Sequence, residues 1–187
     1  MQAAEHLRFS AEDYLAWEET QAGKHEFVAG EVFAMTGARR EHVVVSLNIA
    51  AALKHRLRGT PCQAYIADLK LRIEVVDAFF YPDVMVSCNA EDNQAKQFIS
   101  QPALIAEVLS DSTAAYDRGD KFAAYRKLES LQEYLIVDIA ARRVECFRRT
   151  EGNDWLLHEY VGEVDCELTS LNIRLPMADI FEDIEPR

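Results

Sequence analysis

Glu107 interrupts an otherwise apolar run, Ala103-Leu104-Ile105-Ala106-Glu107-Val108-Leu109. Such a run reads as a strand buried in a sheet, and an uncompensated carboxylate inside it is strongly destabilising. The position therefore demands a cation: a lysine, an arginine or a metal ion. A buried ion pair, or a glutamate turned outward near a sheet edge, meets the same demand without any chemistry. Asp83 stands between Pro82 and the apolar Val84-Met85-Val86, at the mouth of a second strand. Open α/β sheets place many of their sites there, although an aspartate serving a turn accounts for the position equally simply. Taken together, two carboxylates on adjacent short strands can hold one hard cation such as Mg²⁺, which prefers oxygen ligands and keeps waters. An ion so held polarises a phosphoryl oxygen and lowers the pKa of a bound water. Lys121 can reach such a site from the helix expected after the Glu107 strand. Asp117 lies four residues before it, so an exposed i,i+4 ion pair is the alternative.

The elements that must position these residues are legible in outline. Ser10 and Asp13 form a capping box that opens a short helix over 11–20. His25–Ala29 and Glu31–Met35, joined at Gly30, read as a hairpin. Val43, Leu47, Ala50, Leu53 and Leu57 recur at helical spacing and predict an amphipathic helix over 42–58. Leu69, Leu71, Ile73 and Val75 alternate with Lys70, Arg72 and Glu74, the period of a half-exposed strand. Asp77-Ala78 reads as a turn. Val84–Ser87 and Ala103–Leu109 are short apolar runs of the kind found mid-sheet. Ser112-Thr113 precede a helix expected over 115–128. Residues 133–138, 142–149 and 154–160 read as strands, the last two as a hairpin, and 176–181 as a closing helix. This order predicts an α/β class with a mixed, α+β-like sheet and helices laid on it. No repeat or low-complexity linker marks a boundary, so one domain spanning 1–187 is expected, with a core over about 25–140 and a C-terminal hairpin and short helix over 141–187.

The chain has 187 residues, with 20 Lys+Arg against 32 Asp+Glu and a net charge of −12. At face value that acidity opposes a nucleic-acid partner. Its uneven distribution weakens the objection. Residues 1–37 hold seven acids and two bases and residues 150–187 ten acids and two bases, whereas 38–149 hold 15 acids and 16 bases. The central block is thus free to present basic patches. No run of apolar residues is long enough to span a bilayer, and the first residues show no basic region followed by an apolar stretch, so a cytoplasmic protein is expected. Cys62, Cys88, Cys146 and Cys166 form no CxxC pair and have no histidine at zinc spacing. They read as small core or half-buried residues.

Tyr81-Pro82-Asp83-Val84-Met85-Val86, then Glu107-Val108-Leu109-Ser110-Asp111-Ser112-Thr113, then Asp117-Arg118-Gly119-Asp120-Lys121-Phe122 with Tyr125, resemble the PD-(D/E)XK nuclease superfamily. More narrowly, they resemble its Uma-type restriction-endonuclease-like family. His25-Glu26-Phe27-Val28-Ala29-Gly30-Glu31, His42 and Glu133–Asp138 fit the same pattern, and the similarity runs from about residue 10 to about 182. The resemblance implies a restriction-endonuclease-like core with flanking helices and added β-hairpins. Asp83 matches the Asp of the PD element and Glu107 the acid of the (D/E)XK element, both as metal ligands. The lysine of that element has no match, because Leu109 occupies its place; Lys121, on the next helix, takes the displaced position. Glu26 matches a family acid of the hairpin, although an outward-facing strand glutamate remains the alternative. Lys70 is a substitute candidate for the lysine. His42 can contact phosphate, cap the helix or do neither.

The resemblance implies a Mg²⁺-dependent endonuclease, with Mn²⁺ as a substitute, that hydrolyses phosphodiester bonds in DNA. Arg39, Arg40, Lys54, Arg56, Arg58, Arg118, Arg126 and Lys127 are the cations expected to meet phosphates. A homodimer would match the two-fold symmetry of duplex DNA. A second reading is a nuclease fold kept as a binding or interaction module with little or no catalysis, which the net charge and the missing motif lysine favour. A third is a metal-dependent hydrolase of a small phosphate or carboxylate.

Overall fold

The computed structural model describes residues 9–110 and 113–185. The start of the chain, and Asp111 and Ser112 before the expected helix, lie outside these residues. At Ser10 the capping box closes: the hydroxyl accepts from the Asp13 amide at 3.1 Å and the Asp13 carboxylate accepts from the Ser10 amide at 3.3 Å. It starts α1 (Ala11–Glu18). Strands β1 (His25–Val28) and β2 (Glu31–Ala34) pair through a two-residue turn in which Ala29 and Gly30 both take positive φ, 50° and 92°. That geometry matches the twist of a tight hairpin.

Two sheets hold eleven of the thirteen strands among the described residues. The first has the order β2-β1-β5-β4-β7, with β4 (Lys70–Ile73), β5 (Ala78–Phe80) and β7 (Phe98–Ile99). The second has the order β11-β10-β9-β8-β6-β3, with β3 (Gln63–Ile66), β6 (Val84–Ser87), β8 (Pro102–Val108), β9 (Glu133–Asp138), β10 (Arg143–Arg149) and β11 (Trp155–Val161). β8 and β9 run parallel; the other pairs of this sheet are antiparallel. A separate hairpin joins β12 (Asp165–Leu168) to β13 (Ile173–Pro176). The class is therefore the mixed α/β arrangement that the sequence predicts.

β8 shows how the core divides. Leu104, Ala106 and Val108 pack into one cluster with Val45, Ile49 and Leu53 of α2 (Arg40–Arg56) and with Met177 and Ile180 of α5 (Met177–Ile180). Ile105 turns to the opposite face and packs with Phe122, Tyr125 and Tyr134. Period-two alternation then puts Glu107 on the face of Ile105.

Several expectations need correction. The helix expected over 115–128 runs without interruption over 114–125 but widens midway: α3 (Ala114–Tyr116) leads into a π-helical turn (Asp117–Lys121) and then α4 (Phe122–Tyr125). Asp117 and Lys121 are both buried within the widened turn while Arg118, Gly119 and Asp120 stay exposed, so local packing of charge overrides helical regularity. Thr113 makes no side-chain cap. The alternating strand stops at Ile73 in a 3₁₀ turn, which leaves Val75 79% exposed. Ala78, read as part of a turn, already belongs to β5. Cys62 and Cys88, read as unpaired, are joined by a disulfide, because the pairing of Gln63 with Ser87 brings their neighbours face to face. Cys146 and Cys166 are buried thiols, as expected. Phe79, Phe80 and Tyr81 are buried. Among the described residues no helix is long and apolar enough to cross a membrane.

Candidate active site

β6 and β8 are antiparallel with Val84 opposite Ala106 and Met85 opposite Ile105. Continuing that register by one residue puts Asp83 opposite Glu107. The Asp83 backbone amide donates to Glu107 Oε2 at 3.3 Å, and the Val108 amide donates to Asp83 Oδ2 at 2.8 Å. The two carboxylates expected on separate strands are thus neighbours. Both line a cavity of about 420 Å³ together with Lys24, Arg39, His42, Asp117 and Lys121.

Lys121 meets them from the π turn. Its ammonium lies 3.2 Å from Glu107 Oε1, 3.1 Å from Glu26 Oε1 and 3.4 Å from Asp117 Oδ1. The contact with Glu26 is an ion pair without hydrogen-bond alignment. The i,i+4 pair with Asp117 exists, but it is buried rather than exposed, with Lys121 only 6% accessible. Burial works to lower the Lys121 pKa; the charges of Glu107, Glu26 and Asp117 outweigh it and hold the group well above its ordinary value. The side chain is therefore a fixed ammonium. Glu26 reaches this point from β1 and is buried, so the outward-facing alternative for Glu26 does not hold.

Glu107 is 3% accessible, and desolvation pushes its pKa well above the carboxylate range. Lys121 opposes that rise, the charges of Asp83 and Asp117 add to it, and the hydrogen bond from Tyr125 opposes it. The Tyr125 hydroxyl donates to Glu107 Oε1 at 2.7 Å. His42 stands with Nε2 3.1 Å from Asp83 Oδ2. Burial works to lower the His42 pKa, but its hydrogen bond to Asp83 and the charges of Asp83 and Glu107 raise it above its ordinary value. His42 neither caps α2, whose N-cap Arg39 makes no side-chain cap, nor stands apart from the site.

Other expected residues lie elsewhere. Lys70 sits over the Tyr81 ring, 5.6 Å from its centroid, and does not line the cavity. Arg56 pairs with Asp179 at 2.9 Å and Arg118 with Glu145, so neither presents a bare cation. Arg126 stacks on Phe122. Arg39 lines the cavity, and Lys24, which no sequence signal singles out, lines it from the hairpin side while pairing with Asp68 at 2.7 Å. Sequence reasoning also missed Tyr125 as the partner of Glu107. Its one local signal is the spacing Asp117, Lys121, Tyr125, which places three polar-ended side chains on one helix face.

Among the described residues no group of three or more His, Cys, Asp or Glu side chains converges as a ready metal cage. The pair Asp83 and Glu107 is nonetheless a hard-oxygen donor set open to a cavity, and Mg²⁺ is commonly held by one or two carboxylates with waters completing its shell. Three carboxylates, those of Glu26, Glu107 and Asp117, share the Lys121 ammonium, and Asp83 stands beside Glu107. The residues present fit a divalent cation.

Comparison with known proteins gives three further findings. The family described as "Uma2: Putative restriction endonuclease" matches residues 11–178. The protein is 36% identical over 177 residues to "Uncharacterized protein slr1290" of Synechocystis sp., covering 95% of this chain and 93% of that one, and 35% identical over 156 residues to "Uncharacterized protein sll1609" of the same organism, covering 82% and 88%. A crystal structure of "a putative nuclease belonging to DUF820" from Anabaena variabilis shares the fold, with a TM-score of 0.75 at 14% identity over 92% of this chain and 97% of that one.

Proposed function

The chain belongs to the Uma2 family, described as putative restriction endonucleases, and on that premise we propose that it is a metal-dependent endonuclease hydrolysing phosphodiester bonds in DNA. The observation that carries this reading is the placement of Asp83 and Glu107 opposite one another on adjacent strands, with Lys121 3.2 Å from Glu107. Asp83 and Glu107 would hold the ion, Mg²⁺ with Mn²⁺ as a substitute. Such an ion, when bound, polarises a phosphoryl oxygen and supplies a water of lowered pKa. Lys121, arriving from the helix in place of Leu109, does what a positive hydrogen-bond donor can do: it orients the attacking water and offsets charge that develops on the phosphate. As a fixed ammonium it has no lone pair with which to take a proton. Glu26 and Asp117 hold Lys121 at the cavity and keep it charged. Lys24 and Arg39 line the same cavity and add positive charge beside the two acids.

Plasmid nicking with Mg²⁺ or Mn²⁺, against EDTA, tests the reading in wild type, Asp83→Ala and Lys121→Ala, with folding checked by circular dichroism. Metal-dependent cleavage lost in both folded variants is the expected result. Cleavage that survives both overturns the site. A wild type that binds metal without cutting DNA or nucleotides overturns the nuclease and leaves a binding module.

A further inference from the structure

The carboxylates of Asp83 and Glu107 are each held mainly through one oxygen. At Glu107, Oε1 takes both the Tyr125 hydroxyl, at 2.7 Å, and the Lys121 ammonium, at 3.2 Å. Oε2 has a single contact, the Asp83 amide at the longer distance of 3.3 Å. At Asp83, Oδ2 takes both the Val108 amide, at 2.8 Å, and His42 Nε2, at 3.1 Å. Oδ1 has no hydrogen bond or ion pair among the described residues. One oxygen of each acid is thus occupied twice and its sister is left with a weak contact or none, beside the cavity that both residues line.

The two occupying groups come from opposite sides of the sheet. Tyr125 is fully buried on α4 between Phe80 and Tyr134, with ring centroids at 5.5 and 5.4 Å. That packing leaves its hydroxyl little freedom to turn elsewhere. His42 lies in the first turn of α2, with its Nε2 against the Asp83 carboxylate. Two side chains from unrelated helices therefore make the same selection on two different acids.

Resting on the metal-dependent reading above, we propose that Tyr125 and His42 are positioning residues that commit Glu107 Oε1 and Asp83 Oδ2, so that the pair offers a divalent cation one oxygen from each acid. Monodentate carboxylates leave the remaining positions to waters and substrate oxygens, which suits the small octahedral Mg²⁺. Freed from its tyrosine, the glutamate can present both oxygens. That suits Ca²⁺, which accepts bidentate carboxylates in a larger and more flexible shell. Outer partners of this kind commonly set metal affinity within about 10–100-fold. A hydroxyl that merely filled space would change both affinities alike.

The test is isothermal titration of the full-length protein with Mg²⁺, Mn²⁺ and Ca²⁺, without DNA, for wild type, Tyr125→Phe and His42→Gln. The result expected is Mg²⁺ binding weakened by about 10–100-fold in each variant, with Ca²⁺ binding weakened less, so that the Ca²⁺ to Mg²⁺ affinity ratio rises at least about tenfold. Equal weakening for both ions, or none, in folded protein overturns the positioning roles while leaving the metal site in place. Should Tyr125→Phe fail to fold, His42→Gln decides the same question at the other acid. Wild type that takes up none of the three ions overturns the metal reading itself, and this inference with it.

Discussion

Glu107 on β8 and Glu133 on β9 are both buried, on neighbouring parallel strands of one sheet, yet their surroundings are opposite in kind. Glu133 receives only donors. Its Oε1 accepts from Arg148 Nε at 2.8 Å and the Thr169 amide at 3.0 Å, and its Oε2 from the Ser170 amide at 3.1 Å and the Ser170 hydroxyl at 2.5 Å. The strand register places it opposite Leu104, and its bonds tie β9 to β10 and to the turn between β12 and β13. Glu107 instead shares its single cation with Glu26 and Asp117 and faces a fourth carboxylate, Asp83. A buried acid whose lone pairs are all answered cements structure. One left among surplus negative charge, beside a cavity, is poised to accept a further cation. Burial alone does not separate the two; the balance of donors does.

The contrast has consequences that differ in sign. The largest is catalytic: Glu107→Gln is expected to lower metal-dependent DNA cleavage by about a thousandfold or more, a barrier rise of roughly 4 kcal/mol, measured by single-turnover cleavage of labelled duplex. Folded Glu133→Gln should cleave within about threefold of wild type, a barrier change under about 1 kcal/mol. Equal losses in both would erase the distinction between the two acids.

Stability should invert the order. Removing Glu133 by Ala leaves Arg148 and two backbone amides without their shared acceptor and is expected to cost about 3–5 kcal/mol, read from the urea midpoint at constant m value. Metal-free Glu107→Gln should lose less than about 1 kcal/mol or gain stability, because it relieves the excess charge around Asp83 and Asp117. A large loss at Glu107 would mean that its ion pair with Lys121 is structural.

Ligand linkage gives a smaller, sharper effect. At a hundredfold excess over its dissociation constant, Mg²⁺ should stabilise wild type by about 2.7 kcal/mol and Glu107→Gln by close to nothing. A full metal response in Glu107→Gln, followed by differential scanning calorimetry, would move the cation away from this pocket.

The smallest effect concerns the surroundings of Glu133. Burial, followed by the negative charge of Glu133, pushes the Cys146 thiol up to about 12. Because its pKa is raised, the thiolate is scarce throughout neutral and mildly alkaline pH. Native protein at pH 8 should therefore label at neither Cys146 nor Cys166 with iodoacetamide, by mass spectrometry, until denatured. Rapid native labelling would show that the Glu133 region opens to solvent.

The local chemistry of the chain accounts for much of what the folded molecule shows. Ser10 with Asp13, the Ala29-Gly30 turn, the helical spacing of Ala50, Leu53 and Leu57, and the apolar run around Glu107 each act within a turn, one helix or one strand, although Val43 and Leu47 of the same expected stripe are exposed and Val45 and Ile49 fill the core in their place. Their signals are contained in a few consecutive residues. The demand of Glu107 for a cation is likewise set by its neighbours in sequence, and the displaced Lys121 answers it. Short strands such as β3, β5 and β7, two to four residues long, carry too few positions for a period to show. The π turn at Asp117–Lys121 accompanies charges the helix buries, which no local propensity encodes.

What depends on the fold is everything that joins distant residues. The register of β6 against β8 sets Asp83 opposite Glu107, β1 delivers Glu26 to Lys121, α2 brings His42 to Asp83, and the start of β3 brings Cys62 to Cys88. Each of these contacts closes a long loop, and it is paid for by core packing spread over many residues rather than by the residues that meet. The same logic separates Glu107 from Glu133. Both look alike as single acids in apolar strands, and only the side chains that arrive from elsewhere make one a fastener and the other half of a cation site.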